Sequence, residues 1–500
     1  MEYLNLSRKY YFHNISPHIK VPVNKGRVKK VLLLRLRPPV YDFCYHPIGF
    51  RPPYTLKYIE SLLIKKEIYT VKLIDQRIAN LSSGDILDIV GNWHPDLIVI
   101  LISTLDIGKS LEFCRSIKTR EDTKDIIIIS TGQEMSSNIA KYRLFNTLFD
   151  VVLGGEAEQE AVSIIEKLNE NVELDEIRDS YSQGRLNSGI IEIRNLDELP
   201  FPIYDTQSLK KYYFIYPLKV KKKLIWGHML TSRGCPHSCI FCSQVMRETY
   251  GKRFRVRSAI NVVDEMEGLL NSGANIIAFD DDNFTVSEEH VRSICREINS
   301  RELKVRWIAH ARVDDVNPPL IKLMKESGCI LLRFGIESGS EKIIKTLRKS
   351  SDSQSWFNKS KETISTVKSL GITVACFFIV GSPGETKEDF QKSIKFARDL
   401  SPDIIQVAYF TPFPDSTAYQ IFNQQIKKDT IPQLYHYRQP LINLSSINDN
   451  ELKRAQSMFY REFLMRPAFI IRHLFNYSLF YLNNPYIFSK YLRALKQMMN

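Results

Sequence analysis

The stretch TSRGCPHSCIFCSQ, Thr231 to Gln244, holds Cys235, Cys239 and Cys242 in a C-x3-C-x2-C spacing. Three thiols within eight residues form a ligand set, because thiolates are soft donors for zinc and for iron–sulfur clusters. Structural zinc takes four protein ligands; His237 lies inside the loop, but no second ligand pair follows it. A cluster held by three cysteines keeps one iron open to another molecule, so the spacing favours iron–sulfur over zinc. Cys44, Cys114, Cys295, Cys329 and Cys376 are scattered and read as small buried apolar residues.

The elements that must position these thiols are legible on both sides. From residue 28 to 170 the chain alternates VKKVLLLRL, YTVKLID, PDLIVILIS, DIIIIST and FDVVLGG with amphipathic segments such as PPYTLKYIESLLIKK and MSSNIAKYRLF. Strand and helix alternating at these lengths predict a doubly wound parallel α/β sheet of Rossmann-like type. Its ligands would sit at the strand carboxyl ends, in the loops after Leu36, Ser103 and Ser130 and at the Gly154-Gly155 turn. Residues 1–27 read as an extension and 171–224 as a charged linker closing in LDELPFPIYD. A second series over 225–420 offers six strands, beginning with WGHMLTS and ending with IIQVAYFTP, with helices between them. Six β/α repeats predict a partial, open barrel of the TIM type, with its chemistry at the strand carboxyl ends. The thiols follow the first of those strands.

The composition is that of a folded chain of more than one domain, with 500 residues, 44% apolar and 25% charged. No uninterrupted apolar run is long enough to span a membrane, and the N-terminus lacks an apolar signal core, so a cytoplasmic protein with reduced thiols is expected. The net charge of +13 is concentrated in Lys210 to Lys223 and after Lys427, and no nucleic-acid motif accompanies it. Residues 421–500 read as helical; from Arg454 onward they hold seven Lys/Arg, one Glu and eleven Phe/Tyr. Such a segment suits peripheral membrane contact or a helical cap over the barrel mouth, and the cap is the expectation taken.

RGCPHSCIFCS resembles the signature of the radical S-adenosylmethionine enzymes. The resemblance implies a four-iron four-sulfur cluster on Cys235, Cys239 and Cys242, with S-adenosylmethionine on the open iron and Phe241 near its adenine. FDDDNF, with Asp280 and Asp281, is similar to the family's acidic motif near the methionine amino group. FGIESGS, with Glu337 and Ser338, resembles the fourth-strand motif around ribose and methionine; FFIVGSPGET, with Gly381, looks like the segment bordering adenine; and FTPFPDSTAY closes the set. Taken singly, the acidic run reads as a helix N-cap and GSPGET as a turn.

The first domain resembles the cobalamin-binding module of the cobalamin-dependent members, most closely at VVLGGEAE and LDELPFPIYD; FYREFLMRP is similar to their C-terminal segment. It departs in lacking Asp-x-His-x-x-Gly after LIDQR and in having STGQE, where only Gly132 remains of a glycine pair. The resemblance implies generation of a 5'-deoxyadenosyl radical and methylation of an unactivated carbon, with cobalamin carrying the methyl group. It also implies an electron donor such as flavodoxin or ferredoxin. Radical oxidative cyclisation, a first domain serving only as scaffold, and a non-catalytic iron–sulfur or zinc module are the alternatives. The substrate class stays open among lipid, peptide and small metabolite.

Overall fold

The computed structural model describes residues 28–38, 50–137, 142, 148–183, 191–220, 223–242, 253–413, 416–426 and 440–499. The extension 1–27, Cys44, most of the second half of MSSNIAKYRLF, and Pro414 and Asp415 of FTPFPDSTAY lie outside the described residues.

The first sheet contains β1 (Lys30–Arg35), β2 (Thr70–Asp75), β3 (Leu97–Leu101), β4 (Ile127–Thr131) and β5 (Val151–Val152). They pair in the order β2-β1-β3-β4-β5, all parallel. The period of two divides each strand between two cores. Leu32, Leu34, Ile98, Ile100 and Ile128 face one helical layer, while Val31, Leu33, Val99 and Ile129 face the other. Each fully buried Val, Leu or Ile contributes roughly 1.5–3 kcal/mol. The order reverses between β1 and β3, which opens a crevice at their carboxyl ends.

The second sheet is β6 (Trp226–Met229), β9 (Ile276–Phe279), β10 (Trp307–Ala311), β11 (Cys329–Glu337), β12 (Thr373–Val380) and β13 (Ile404–Tyr409). These strands pair in sequence order and in parallel, and their helices enter on side-chain caps such as Ser258, Ser287 and Thr386. A two-stranded antiparallel pair, β7 (Ser232–Arg233) and β8 (Arg255–Val256), sits beside the end of β6. The barrel stays open at β13, and the helix Asp449–Leu464 covers that edge. Val407 N donates to Tyr460 Oη at 2.8 Å, Gln456 Nε2 to the Val407 carbonyl at 2.6 Å and Tyr409 Oη to the Lys453 carbonyl at 2.9 Å.

Two features differ from the sequence reading. Within 171–224, the helix Leu174–Gln183 sends Leu174, Ile177 and Tyr181 into the first core, and Phe214, Ile215, Tyr216 and Leu218 fill the inner face of the barrel. The surrounding charge obscured this pattern because short apolar runs show no long period. The helix Pro467–Asn483 does not cap the mouth. Its Tyr477, Phe480 and Tyr481 pack with Trp226, Ile276, Ile308 and Leu331, at or near the amino ends of their strands, and so close the opposite end. An incomplete barrel leaves those apolar strand starts bare, and the aromatic helix covers them. Among the described residues, no helix is long and apolar enough to cross a membrane.

Candidate active site

The cysteine loop leaves β7 at Gly234, whose φ of +85° suits glycine. Ile240 N donates to the Leu347 carbonyl at 3.1 Å, and Ala418 N to the Ile240 carbonyl at 3.0 Å, which pins the loop across the strand ends. Cys235 and Cys239 are half-buried and Cys242 is exposed. Cys242 shares its surroundings with Cys239, Cys235 and Asp282: desolvation first, then these neighbouring charges, pushes its thiol up, although its surface is open at the mouth. By contrast Cys114, Cys295, Cys329 and Cys376 are buried, and burial pushes Cys114 and Cys295 up to about 12, as expected for packing residues.

Two cations approach the loop. Arg312 Nη1 donates to Cys239 Sγ at 3.9 Å, and its Nη2 donates to the Lys349 carbonyl at 2.9 Å. Lys349 Nζ lies 6.0 Å from the centre of the Phe241 ring and 5.4 Å from that of Trp356. His237 leans on Asp315 at 3.6 Å rather than completing a ligand set. Among the described residues, no group of three Cys, His, Asp or Glu side chains is placed to hold a metal ion. The donor set fits a cluster with one open iron: three thiols on one loop, no fourth protein ligand beside them among the described residues, and cations to offset its negative charge.

The acidic run divides its labour. Asp280 is buried and accepts from Tyr54 Oη at 2.7 Å and bonds to His228 Nδ1 at 2.8 Å, with Arg51 Nε 3.5 Å away. Burial alone would raise it, but Arg51, His228 and Arg333 hold its carboxyl at about 2. Asp281 is also buried; it accepts from Thr231 N at 3.1 Å and from Thr231 Oγ1 at 2.9 Å, and bonds to Ser232 Oγ, so it orders the approach to the thiols. Asp282, exposed at the mouth yet walled by protein, has no hydrogen bond among the described residues. Desolvation outweighs Arg51, Asp281 adds its repulsion, and the carboxyl rises to about 7.

At the end of β11 the register slips between Gly335 and Glu337, and Glu337 adopts a φ of +69°. A conformation of this kind costs of order 1–3 kcal/mol in a non-glycine residue. The buried pair with Lys349 Nζ at 2.9 Å helps hold it, and Gly335 makes room: a Cβ there would lie 2.3 Å from Glu337 Oε1. Ser338 faces away from the mouth; its Oγ lies 2.9 Å from Ser393 Oγ and accepts from Ser340 N at 3.1 Å. Gly381 has a φ of +78° and donates to Glu385 Oε2 at 2.6 Å, and Ser382 N donates to the same oxygen at 3.0 Å. Burial pushes Glu385 up to about 7 despite these donors. Phe241 packs beside Ile240, Ile343, Leu347, Ile379 and Phe410.

The carboxyl ends of the two sheets meet over this mouth. Arg51, from the loop after β1, reaches His310 Nε2 at 3.0 Å and Asp280. Arg255 makes a two-point bond to Glu156 at 2.6 and 2.9 Å, and Arg233, two residues before Cys235, donates to Glu158 at 2.9 Å. Leu105, from the loop after β3, packs with Phe413, Tyr419 and Leu441 of the second domain. This seam offers the apolar and polar borders that a flat macrocycle needs. No axial histidine stands after β2: Arg77 folds back on Asp75 at 2.8 Å and on the Arg51 carbonyl at 2.9 Å. Sequence reasoning did not single out Arg51, Asp282, Arg312, Lys349 or Glu385; Asp282, beside two named acids in FDDDNF, and Glu385, inside FFIVGSPGET, were the two with a local signal.

An open parallel barrel with a three-thiol loop after its first strand, its strand carboxyl ends facing those of a 2-1-3-4-5 sheet, is the arrangement that the resemblance to the cobalamin-dependent radical S-adenosylmethionine enzymes implies. Residues 229–397 match the Radical SAM superfamily and form a radical SAM domain. It is 28% identical to an uncharacterized methyltransferase of Pyrococcus horikoshii, over 90% of this chain and 96% of that protein. It is 25% identical to the anaerobic magnesium-protoporphyrin IX monomethyl ester cyclase of Rubrivivax gelatinosus, over 84% of this chain and 75% of that one. The fold matches the cobalamin-dependent S-adenosylmethionine radical enzyme OxsB, solved with aqua-cobalamin and S-adenosylmethionine, with a TM-score of 0.67 and 17% identity over 93% of this chain and 72% of the other.

Proposed function

We propose that the chain is a cobalamin-dependent radical S-adenosylmethionine enzyme that methylates an unactivated carbon. The observation that carries this reading is the meeting of the strand carboxyl ends of the two sheets: Arg51 and Tyr54 bond to His310 and Asp280, and Arg233, two residues before Cys235, donates to Glu158. When bound, the cluster supplies the electron that yields a deoxyadenosyl radical from S-adenosylmethionine, and cobalamin supplies a methyl group.

The chain's own residues bind and orient. Cys235, Cys239 and Cys242 hold the cluster, and Arg312 and Lys349 balance its charge. Asp282, rather than the internally bonded Asp280 and Asp281, is the acid available to the methionine amino group. Glu337, with Lys349, fixes the ribose side; Phe241 and the Gly381 to Glu385 turn border the adenine. Ser338 supports the β11 end through Ser393. The interdomain seam brings the two groups to one substrate carbon, which converts an encounter of three bodies into a positioned one. A reduced flavodoxin or ferredoxin is the fitting electron donor.

The test is anaerobic reconstitution followed by incubation with a reductant, S-adenosylmethionine and hydroxocobalamin. Retention of the corrin through desalting, together with formation of deoxyadenosine that Cys239→Ala abolishes, is expected. Deoxyadenosine that persists in Cys239→Ala overturns the radical reading, and a corrin-free protein after desalting overturns the cobalamin part. The cyclase relative supports a second outcome, oxidative ring closure. Product mass separates them: methylation adds one CH2, and cyclisation removes hydrogens.

A further inference from the structure

The helix Pro467–Asn483 is apolar on two faces. One face, with Phe469, Tyr477, Phe480 and Tyr481, is buried against the barrel. The other leaves Ile471, Leu474, Phe475, Leu479 and Leu482 in solvent at 69%, 59%, 87%, 53% and 75% exposure. Helical spacing of three and four residues places them on one stripe. A helix apolar on two faces needs an apolar partner for each, and single exposed apolar residues, which are ordinary, do not form such a stripe. At 17 residues the helix is about 25 Å long and does not span a bilayer.

Charge selects the occupant. From Phe463 to Asn500 the sequence has five Lys or Arg and no Asp or Glu. Arg493 and Lys496 on the last helix are exposed. The second basic region of the chain converges on the same end: Leu224 N donates to Asn484 Oδ1 at 3.3 Å, Tyr213 Oη lies 3.2 Å from Tyr486 Oη, and Lys219 and Lys223 of that strand-leading segment are exposed. A second copy of this chain on the same face would oppose like charges across a two-fold interface. An anionic phospholipid surface complements both the stripe and the charge.

We infer that the amino end of the barrel docks on an anionic membrane, with Phe475 and Leu482 entering the acyl boundary and Lys219, Lys223, Arg493 and Lys496 among the headgroups. The stripe lies at the barrel end opposite the thiol loop, so docking tethers the enzyme and leaves its mouth facing the aqueous side. This inference stands apart from the radical chemistry.

The test uses the full chain, sedimented with vesicles of phosphatidylcholine alone and with vesicles containing about one quarter phosphatidylglycerol. Binding to the anionic vesicles, weakened by salt, is expected. Phe475→Ser with Leu482→Ser removes two side chains, each expected to change partitioning by about tenfold or more, so binding falls roughly a hundredfold. Both side chains are exposed, so the melting temperature and deoxyadenosine formation stay unchanged. Arg493→Gln with Lys496→Gln weakens binding on the anionic vesicles only. Failure to bind anionic vesicles, or binding indifferent to the Phe475 and Leu482 changes, overturns the inference. So does a dimer seen by light scattering that the same double change dissolves, since the stripe would then belong to a second copy.

Discussion

Replacing Glu156 by Ala isolates the device that joins the domains. Glu156 is 1% exposed, and its two oxygens take both Nη atoms of Arg255 at 2.6 and 2.9 Å, while Arg233 Nη1 lies 3.5 Å away. Arg233 and Arg255 are themselves 3% and 6% exposed. After the change Arg233 keeps Glu158 and Arg255 keeps the Ile193 carbonyl and the half-exposed Glu192, but Arg255 loses its buried two-point carboxylate. Breaking a buried pair costs about 3–5 kcal/mol when the remaining charge is left uncompensated, and the surviving Glu192 contact places this change at the lower end, about 3 kcal/mol. For domains of this size that corresponds to a fall of about 10 °C in Tm. A thermal melt followed by circular dichroism reads it, with Lys66→Met as control. That residue's pair with Glu166 at 2.6 Å is exposed and screened by solvent, so its loss should leave the melt nearly unchanged. Glu156→Gln, which keeps an acceptor, should fall between the two. Adding Arg255→Met to Glu156→Ala should recover part of the loss, because it removes the stranded charge. A Glu156→Ala protein within about 1 kcal/mol of the parent, or no recovery in the double variant, refutes the reasoning.

Other outcomes follow from the same geometry. The Asp280 carboxyl is held at about 2, below its ordinary 3.8, so its contribution is present above about pH 4 and is lost as pH falls toward 2; Asp280→Asn should lower neutral stability by about 2 kcal/mol and flatten that acid limb in urea titrations. Gly335→Ala places a methyl 2.3 Å from Glu337 Oε1 and 2.9 Å from Lys349 Nζ, and should cost about 1–3 kcal/mol in a thermal melt. Lys349→Met removes both the partner of Glu337 and a cation beside the thiol loop; the reconstituted protein should show a more negative cluster potential by redox titration, and an unchanged potential would remove Lys349 from that role.

Local pattern decided what the sequence could determine here. The thiol spacing needs only eight adjacent residues, and the runs KVLLLR and TVACFFIV announce buried strands by their own composition, so the ligand loop, both sheets and their order of use could be read in advance. Asp280 and Asp281 were legible as acids at a strand end, but their partners were not: Tyr54 is 226 residues from Asp280, and nothing local shows that its hydroxyl takes that carboxylate. The same holds for Arg51 beside His310, 259 residues apart, and Arg312 beside Cys239, 73 apart. These are single charged residues in ordinary surroundings, and only chain crossover makes them neighbours. The tertiary structure therefore decided which acid faces the mouth, which cations face the thiols, and which end of the barrel the aromatic helix closes. Each depends on where burial removes water from a charge or an apolar face, and burial is a property of the assembled chain.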